Sequence, residues 1–414
     1  MYNQQLFRYL RTFSILWVSI STAVEQMVEK IMMPPQDSKE YIINQPLGLL
    51  ICYQGRRLGY QLILIQYAVY WHSYLSRRCS YKVDYLYCIC VGLITNVIPM
   101  FIISYFALSM GYISKSLFFQ QILYSTQWFN SNSYYYTSLC LGFHQVSILI
   151  VLDFVCFTFK LNKFKAFVIS GIVSLALRFI ILTFIFYKNE LLNERFRNYY
   201  DQNEFTQLYI YSFSFAIGEK LNQYQIQSKM IHNKYTKPTL KLKNENAIII
   251  LSVCLILSII YVFFDFKVQF SDKTNVIFVS RLIQPIYSCL LLTMYSVLII
   301  KDETKQQLAS TGCDTENKFQ TPGYNHDFIQ YLCMEPLFAI ILYFVGDTII
   351  GPYNSKIFVL LTIGIITAQL AFGKFLYKMI DWLIQGCLKA CISYFDELKR
   401  KHISQLIKNS IYTD

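Results

Sequence analysis

The sequence predicts an all-α protein, a polytopic transmembrane bundle of about ten spans with both termini on the cytoplasmic side. Three observations carry this. Of 414 residues, 55% are hydrophobic and only 15% charged, against roughly 25% charged in soluble domains. The apolar residues gather into runs near the length of roughly 20 that a bilayer core demands. The loops that alternation places with the amino terminus carry roughly twice as many Lys and Arg as those opposite, as the positive-inside rule requires.

In order, the predicted spans are 7–24, 58–76, 85–110, 137–159, 165–187, 206–219, 246–266, 276–300, 328–350 and 356–379. The sixth is short enough to be re-entrant. Residues 1–380 form the transmembrane unit and 381–414 a cytoplasmic tail. In that tail apolar residues alternate with Lys389, Lys399, Arg400, Lys401 and Lys408, the pattern of a helix lying on a membrane face. Between spans, Pro34, Pro35 and Asp37 break the first long connection. The basic segment 220–243 reads as a cytoplasmic loop, serving as a topology signal or touching anionic lipid. Residues 301–327 are the most polar stretch, with Thr321-Pro-Gly323 as a turn signal.

A net charge of +12 raises nucleic acid as a partner, but the basic residues are spread over loops and form no aromatic-lined patch, so none is expected. The first span lacks a small-residue cleavage site and is expected to be retained. The 12 cysteines lie mostly in apolar runs, with no spacing for zinc or a disulfide framework, so no metal is expected.

Charged residues within spans are candidates for function because burying them is costly. Arg178 lies mid-span, with Asp153, Glu335 and Asp347 as acidic candidates to face it. It serves either as half of an interspan ion pair or as a binder of phosphate or carboxylate, which guanidinium grips bidentately. Arg281, near a span end, either snorkels to the interface or belongs to a site. His144 is a packing histidine or a base. His72, beside Trp71, fits an interfacial role. Glu25 is a helix-end carboxylate facing water or a substitute acid or base. Arg178 with its neighbours Val173-Ser-Leu-Ala-Leu also looks like the arginine span of a rotary proton-channel subunit, but no long partner span follows directly.

Several stretches in order resemble the membrane-bound acyltransferase type 3 family, in its nose-resistant-to-fluoxetine-like branch. They are Leu10-Arg11 with Phe13 and Leu16-Trp-Val18; Phe118-Phe-Gln-Gln-Ile-Leu-Tyr124 followed by Cys140-Leu-Gly-Phe143; Ser280-Arg-Leu282 with Tyr287; and Thr95-Asn-Val-Ile-Pro99 with Ser104 and Tyr105. The resemblance implies O-acyl transfer from acyl-CoA or another carrier to a hydroxyl of a lipid, sugar or other lipophilic acceptor. No bound cofactor is implied beyond acyl-CoA as donor. It gives Arg11 a catalytic role and places Arg281 and Tyr287 against substrate; Glu25 and His144 are the substitute bases such chemistry would use here, and Arg178 the further binder of donor phosphate or carboxylate. Membrane lipids are the expected surroundings, and the endoplasmic reticulum or plasma membrane the expected location.

The departures are as informative. The family's first-span histidine is Thr22 here, an acidic position after its cysteine is Ile150, and its late-span histidine is Leu290. Threonine takes no proton at ordinary pH, whereas histidine does. The alternative expectation is therefore a non-catalytic member that binds or transports a lipid or small molecule.

Overall fold

A computed structural model describes residues 12–14, 16–18, 20–21, 59–79, 82–111, 114–122, 143–188, 204–231, 244–269, 273–309 and 382–398, with isolated positions between 363 and 404. Every element among them is helical, without strands: α1 (Tyr60–Arg78), α2 (Lys82–Ser109), α3 (Lys115–Ile122), α4 (Phe143–Thr158), α5 (Lys163–Tyr187), α6 (Glu204–Ile231), α7 (Asn244–Gln269) and α8 (Thr274–Ala309). The opening helix is seen over 12–21, and a further helix over 382–398. The predicted spans at 328–350 and most of 356–379 lie outside the described residues.

Among the described residues, three helices are long and apolar enough to cross a membrane: Lys163–Tyr187, Glu245–Asp265 and Thr274–Leu298. Their pattern is inverted relative to a water-soluble helix. In α5 the buried stripe is Phe167, Gly171, Ser174, Arg178, Leu182 and Ile185. Its outward face carries Ile169, Ile172, Val173, Leu177, Ile180 and Phe184, all exposed. In lipid, apolar side chains gain nothing by turning inward, so small and polar residues mark the contact face. Asn162 starts α5, its side-chain oxygen accepting a hydrogen bond from the Lys165 N–H at 3.1 Å. Gly171 permits the close approach of α6: a Cβ there would lie 2.6 Å from the Phe213 ring.

The hub of the described bundle is α6. It packs chiefly on α5, then on α1, α4 and α8. Gln207, Tyr209, Ile210, Tyr211, Ser212, Ser214, Phe215 and Glu219 are all buried. This corrects the sequence expectation of a short or re-entrant segment at 206–219. The helix is continuous from Glu204 to Ile231 and takes in the first half of the supposed loop 220–243. A helix enclosed by other helices needs no apolar outer face, so its Gln and Ser content hides it from a hydropathy count.

Contacts order the helix ends. At one end Tyr85 of α2 and Lys163 of α5 both meet Asp153 of α4, while His72 of α1 meets Glu219 of α6. At the opposite end of α5, Phe186 packs on Phe278 of α8 with centroids 4.5 Å apart. The opening helix lies against α1: Ser14 accepts a hydrogen bond from the Gln66 amide at 3.2 Å, and Trp17 and Val18 press on Gly59. In the helix over 382–398, Ile384, Leu388 and Phe395 are buried, with Phe395 against Tyr87 of α2.

Candidate functional site: a buried polar seam

Four helices meet around Arg178, which has no exposed surface. Its Nη2 donates to Gln284 Oε1 on α8 at 2.5 Å, and its guanidinium carbon lies 5.6 Å from the centroid of the Tyr209 ring on α6. An amide oxygen and an aromatic face are both stabilising neighbours for a desolvated cation. From Tyr209 the seam continues: its hydroxyl meets Ser288 Oγ at 2.8 Å, and Ser288 Oγ donates to Gln61 Oε1 on α1 at 2.7 Å. A serine hydroxyl has one hydrogen. Because that hydrogen points to Gln61, the Tyr209 hydroxyl must be the donor to Ser288. Gln61, Tyr209, Gln284 and Ser288 are all buried. The Gln61 amide nitrogen is itself buried and has no hydrogen-bond partner.

Two further polar groups flank the seam. On α8, Arg281 Nη1 meets Asp265 Oδ1 of α7 at 3.2 Å, and Ser280 Oγ donates to the same oxygen at 2.6 Å. Tyr261 and Tyr287 stack between these helices with centroids 5.0 Å apart. Toward the other end, His72 Nε2 lies 3.1 Å from Glu219 Oε2, and Gln223 donates to Oε1 of the same carboxylate. His72 is held edge-on between Phe167 and Phe215. Beside them, Asp153 accepts from Tyr85 at 2.8 Å and pairs with Lys163 at 2.9 Å.

Of the three substrate-binding candidates, Arg178 is in the seam, while Arg281 and Tyr287 meet Asp265 and Tyr261 of α7. Arg11, Thr22 and Glu25 lie outside the described residues, as do Glu335, Asp347 and the side chain of His144, which falls in the first turn of α4.

Several expectations are corrected. Asp153 is engaged by Lys163 and Tyr85, and the group that meets Arg178 on α8 is the neutral Gln284. Arg281 does not snorkel: it is buried and paired with Asp265, because a turn of α8 sets it against the final turns of α7. His72 is not interfacial either. Its ring is buried against the α6 backbone, since the missing side chain of Gly218 leaves room for it.

Sequence reasoning missed Gln61, Tyr209, Asp265, Glu219, Gln284 and Ser288. For α8 a signal existed. Ser280, Arg281, Gln284 and Ser288 fall on one face of an otherwise apolar helix, the inverted stripe of a bundle interior. Gln61 and Tyr209 gave no such signal, because their neighbours are set by helices far away in sequence.

No protein-family model, curated protein or solved structure matches the chain.

Proposed function

We propose that the chain is a multi-pass membrane protein that binds the polar group of a lipid or small molecule in the seam around Arg178 and carries or presents it within the bilayer. One observation carries this reading. A buried guanidinium, two amides and two hydroxyls converge from α1, α5, α6 and α8 at mid-length of α5. Polar and ionisable side chains are placed inside membrane bundles at a cost, and mark substrate pathways there by default. The proposal includes about ten spans and cytoplasmic termini, supported by the loop charges, and residence in the endoplasmic reticulum or plasma membrane.

O-acyl transfer is the second reading. It is favoured by the family resemblance and by the His72–Glu219 pair, since a carboxylate beside an imidazole is how a general base is oriented. Distance weighs against joining the two sites. His72 stands eleven residues beyond Gln61 in α1, roughly 16 Å along the helix. A hydroxyl held at Ser288 is out of its reach, because proton abstraction needs about 3 Å. Acyl transfer in the seam therefore requires a base from outside the described residues, with Arg11 holding donor oxygens.

The test is to purify the chain in nanodiscs and identify co-purifying lipids by native mass spectrometry, beside Arg178→Met and Ser288→Ala. Loss of a bound species in both variants, with intact chromatographic profiles, supports seam binding. Identical bound species in all three proteins would sink it. A parallel assay with labelled acyl-CoA decides the second reading: acyl transfer by wild type, abolished by Arg11→Ala, promotes it over the first.

A further inference from the structure

The hydrogen-bond directions in the seam define the chemistry of what it binds. In the Tyr209–Ser288–Gln61 chain every hydrogen runs toward Gln61: the tyrosine donates to the serine, and the serine to the amide oxygen. Gln61 therefore accepts within the seam, while its amide nitrogen keeps two hydrogens. That nitrogen is without a partner, in a side chain about 1% exposed. Leaving a buried donor unsatisfied costs roughly 1–3 kcal/mol, and such atoms need an explanation. Gln284 likewise uses its side-chain oxygen within the seam, accepting from the guanidinium. At Gln61 the seam accepts internally and leaves a donor over. Its one formal charge among these five residues is the positive charge of Arg178.

We infer that the seam takes an acceptor-only oxygen group, a carboxylate or phosphate oxygen, against the Gln61 amide nitrogen, and discriminates against a hydroxyl. This rests on the proposal that the seam is a ligand site and names its ligand class. A carboxylate offers two acceptor oxygens to those amide hydrogens and donates none. An alcohol oxygen is the weaker acceptor and brings no negative charge to set against the Arg178 guanidinium. A site of buried donors rejects a ligand that leaves those donors unpaired by far more than one that differs in tail length. The group can arrive on a lipid tail or as a free anion, and both present the same oxygens.

The experiment is equilibrium binding of tritiated probes to the full chain in nanodiscs of neutral lipid. The probes are oleate, oleyl alcohol with the same tail, and inorganic phosphate. Wild type is expected to retain oleate at least tenfold more tightly than oleyl alcohol. Gln61→Glu keeps the shape and the acceptor for Ser288 but replaces the amide hydrogens by a carboxylate. It should lose that preference, with alcohol binding unchanged or improved. Gln61→Met, which removes the amide without adding charge, should bring oleate to the alcohol's level, and chromatographic elution reports whether each variant is folded. Saturable binding of phosphate that fails in Gln61→Glu assigns the group to a free anion; binding of oleate alone assigns it to a lipid. A preference for the alcohol would mean that the Gln61 amide is turned the other way, and would overturn this inference while leaving the seam a binding site. Binding of every probe unchanged by Gln61→Glu, Gln61→Met and Arg178→Met would overturn both.

Discussion

Single residues hold the packing here through the space they leave as much as through what they contribute. Gly218 is the clearest case. A Cβ at that position would lie 2.6 Å from His72 Nδ1, so the ring of α1 sits where only hydrogen can stand on α6. Gly218→Ala is expected to destabilise the protein by about 1–3 kcal/mol through overpacking. His72→Ala should cost less in that variant than in the wild-type chain, as read by thermal unfolding in detergent. Additive losses in the double variant would show that the two positions are not in contact. Asp265 poses the complementary problem of charge. Asp265→Ala removes a carboxylate from the buried Arg281 and is expected to cost about 3–5 kcal/mol, while Asp265→Leu with Arg281→Met should cost much less. If the double variant is as unstable as the single, the pair acts through more than mutual neutralisation.

At the scale of elements, the informative pattern is the inversion of the amphipathic stripe. Gly171 and Ile172 are neighbours in α5 on opposite sides of that division. One faces Phe213 of α6 at close approach, and the other is 56% exposed on the outside. Gly171→Ala should lower the unfolding midpoint by an amount worth about 1–3 kcal/mol, and Ile172→Ala should leave it within about 0.5 kcal/mol. The reverse order would place the interior of the bundle on the other face. This inversion also explains which elements were legible. Predicted spans at 58–76, 85–110, 165–187, 246–266 and 276–300 overlap the helices Tyr60–Arg78, Lys82–Ser109, Lys163–Tyr187, Asn244–Gln269 and Thr274–Ala309. The helix least legible was α6, since its buried surface is shared among polar contacts such as Ser170 with Ser212 at 3.2 Å and Tyr209 with Ser288. The exposed pair Glu397–Lys401, at 2.7 Å and four residues apart, illustrates the opposite extreme. The ammonium beside Glu397 holds its carboxyl below the usual carboxylate range. The contact is present above that range and lost on acidification, but full solvation keeps its influence on stability slight.

For the whole molecule, the helix ends form two sets. The turn after α4, near Lys160, belongs to the end that carries Asp153, Lys163 and His72, whereas the turn before α8, near Lys273, lies at the end of Phe186 and Phe278. Single cysteines introduced at Lys160 and Lys273 in a cysteine-depleted chain are expected to label from opposite sides of sealed vesicles. The proposed topology, with cytoplasmic termini, puts Lys160 on the cytoplasmic side. Labelling of both from one side would break the alternation on which the topology rests.

The sequence by itself determined that this is a helical chain with membrane-length apolar segments, because hydrophobic run length and composition are properties of neighbours along the chain. It also singled out Arg178 and Arg281, since a charge in an apolar run is visible one residue at a time, whereas Tyr287 entered only through the family resemblance. Only the tertiary structure decided what those residues meet. Arg178 finds Gln284, more than a hundred positions away, and Ser288 finds Gln61, more than two hundred away. The direction of each hydrogen bond, and hence the donor-rich character of the seam, depends on four helices arriving together. No local pattern encodes that convergence, because the energy of a buried polar group is set by partners brought in from elsewhere in the chain.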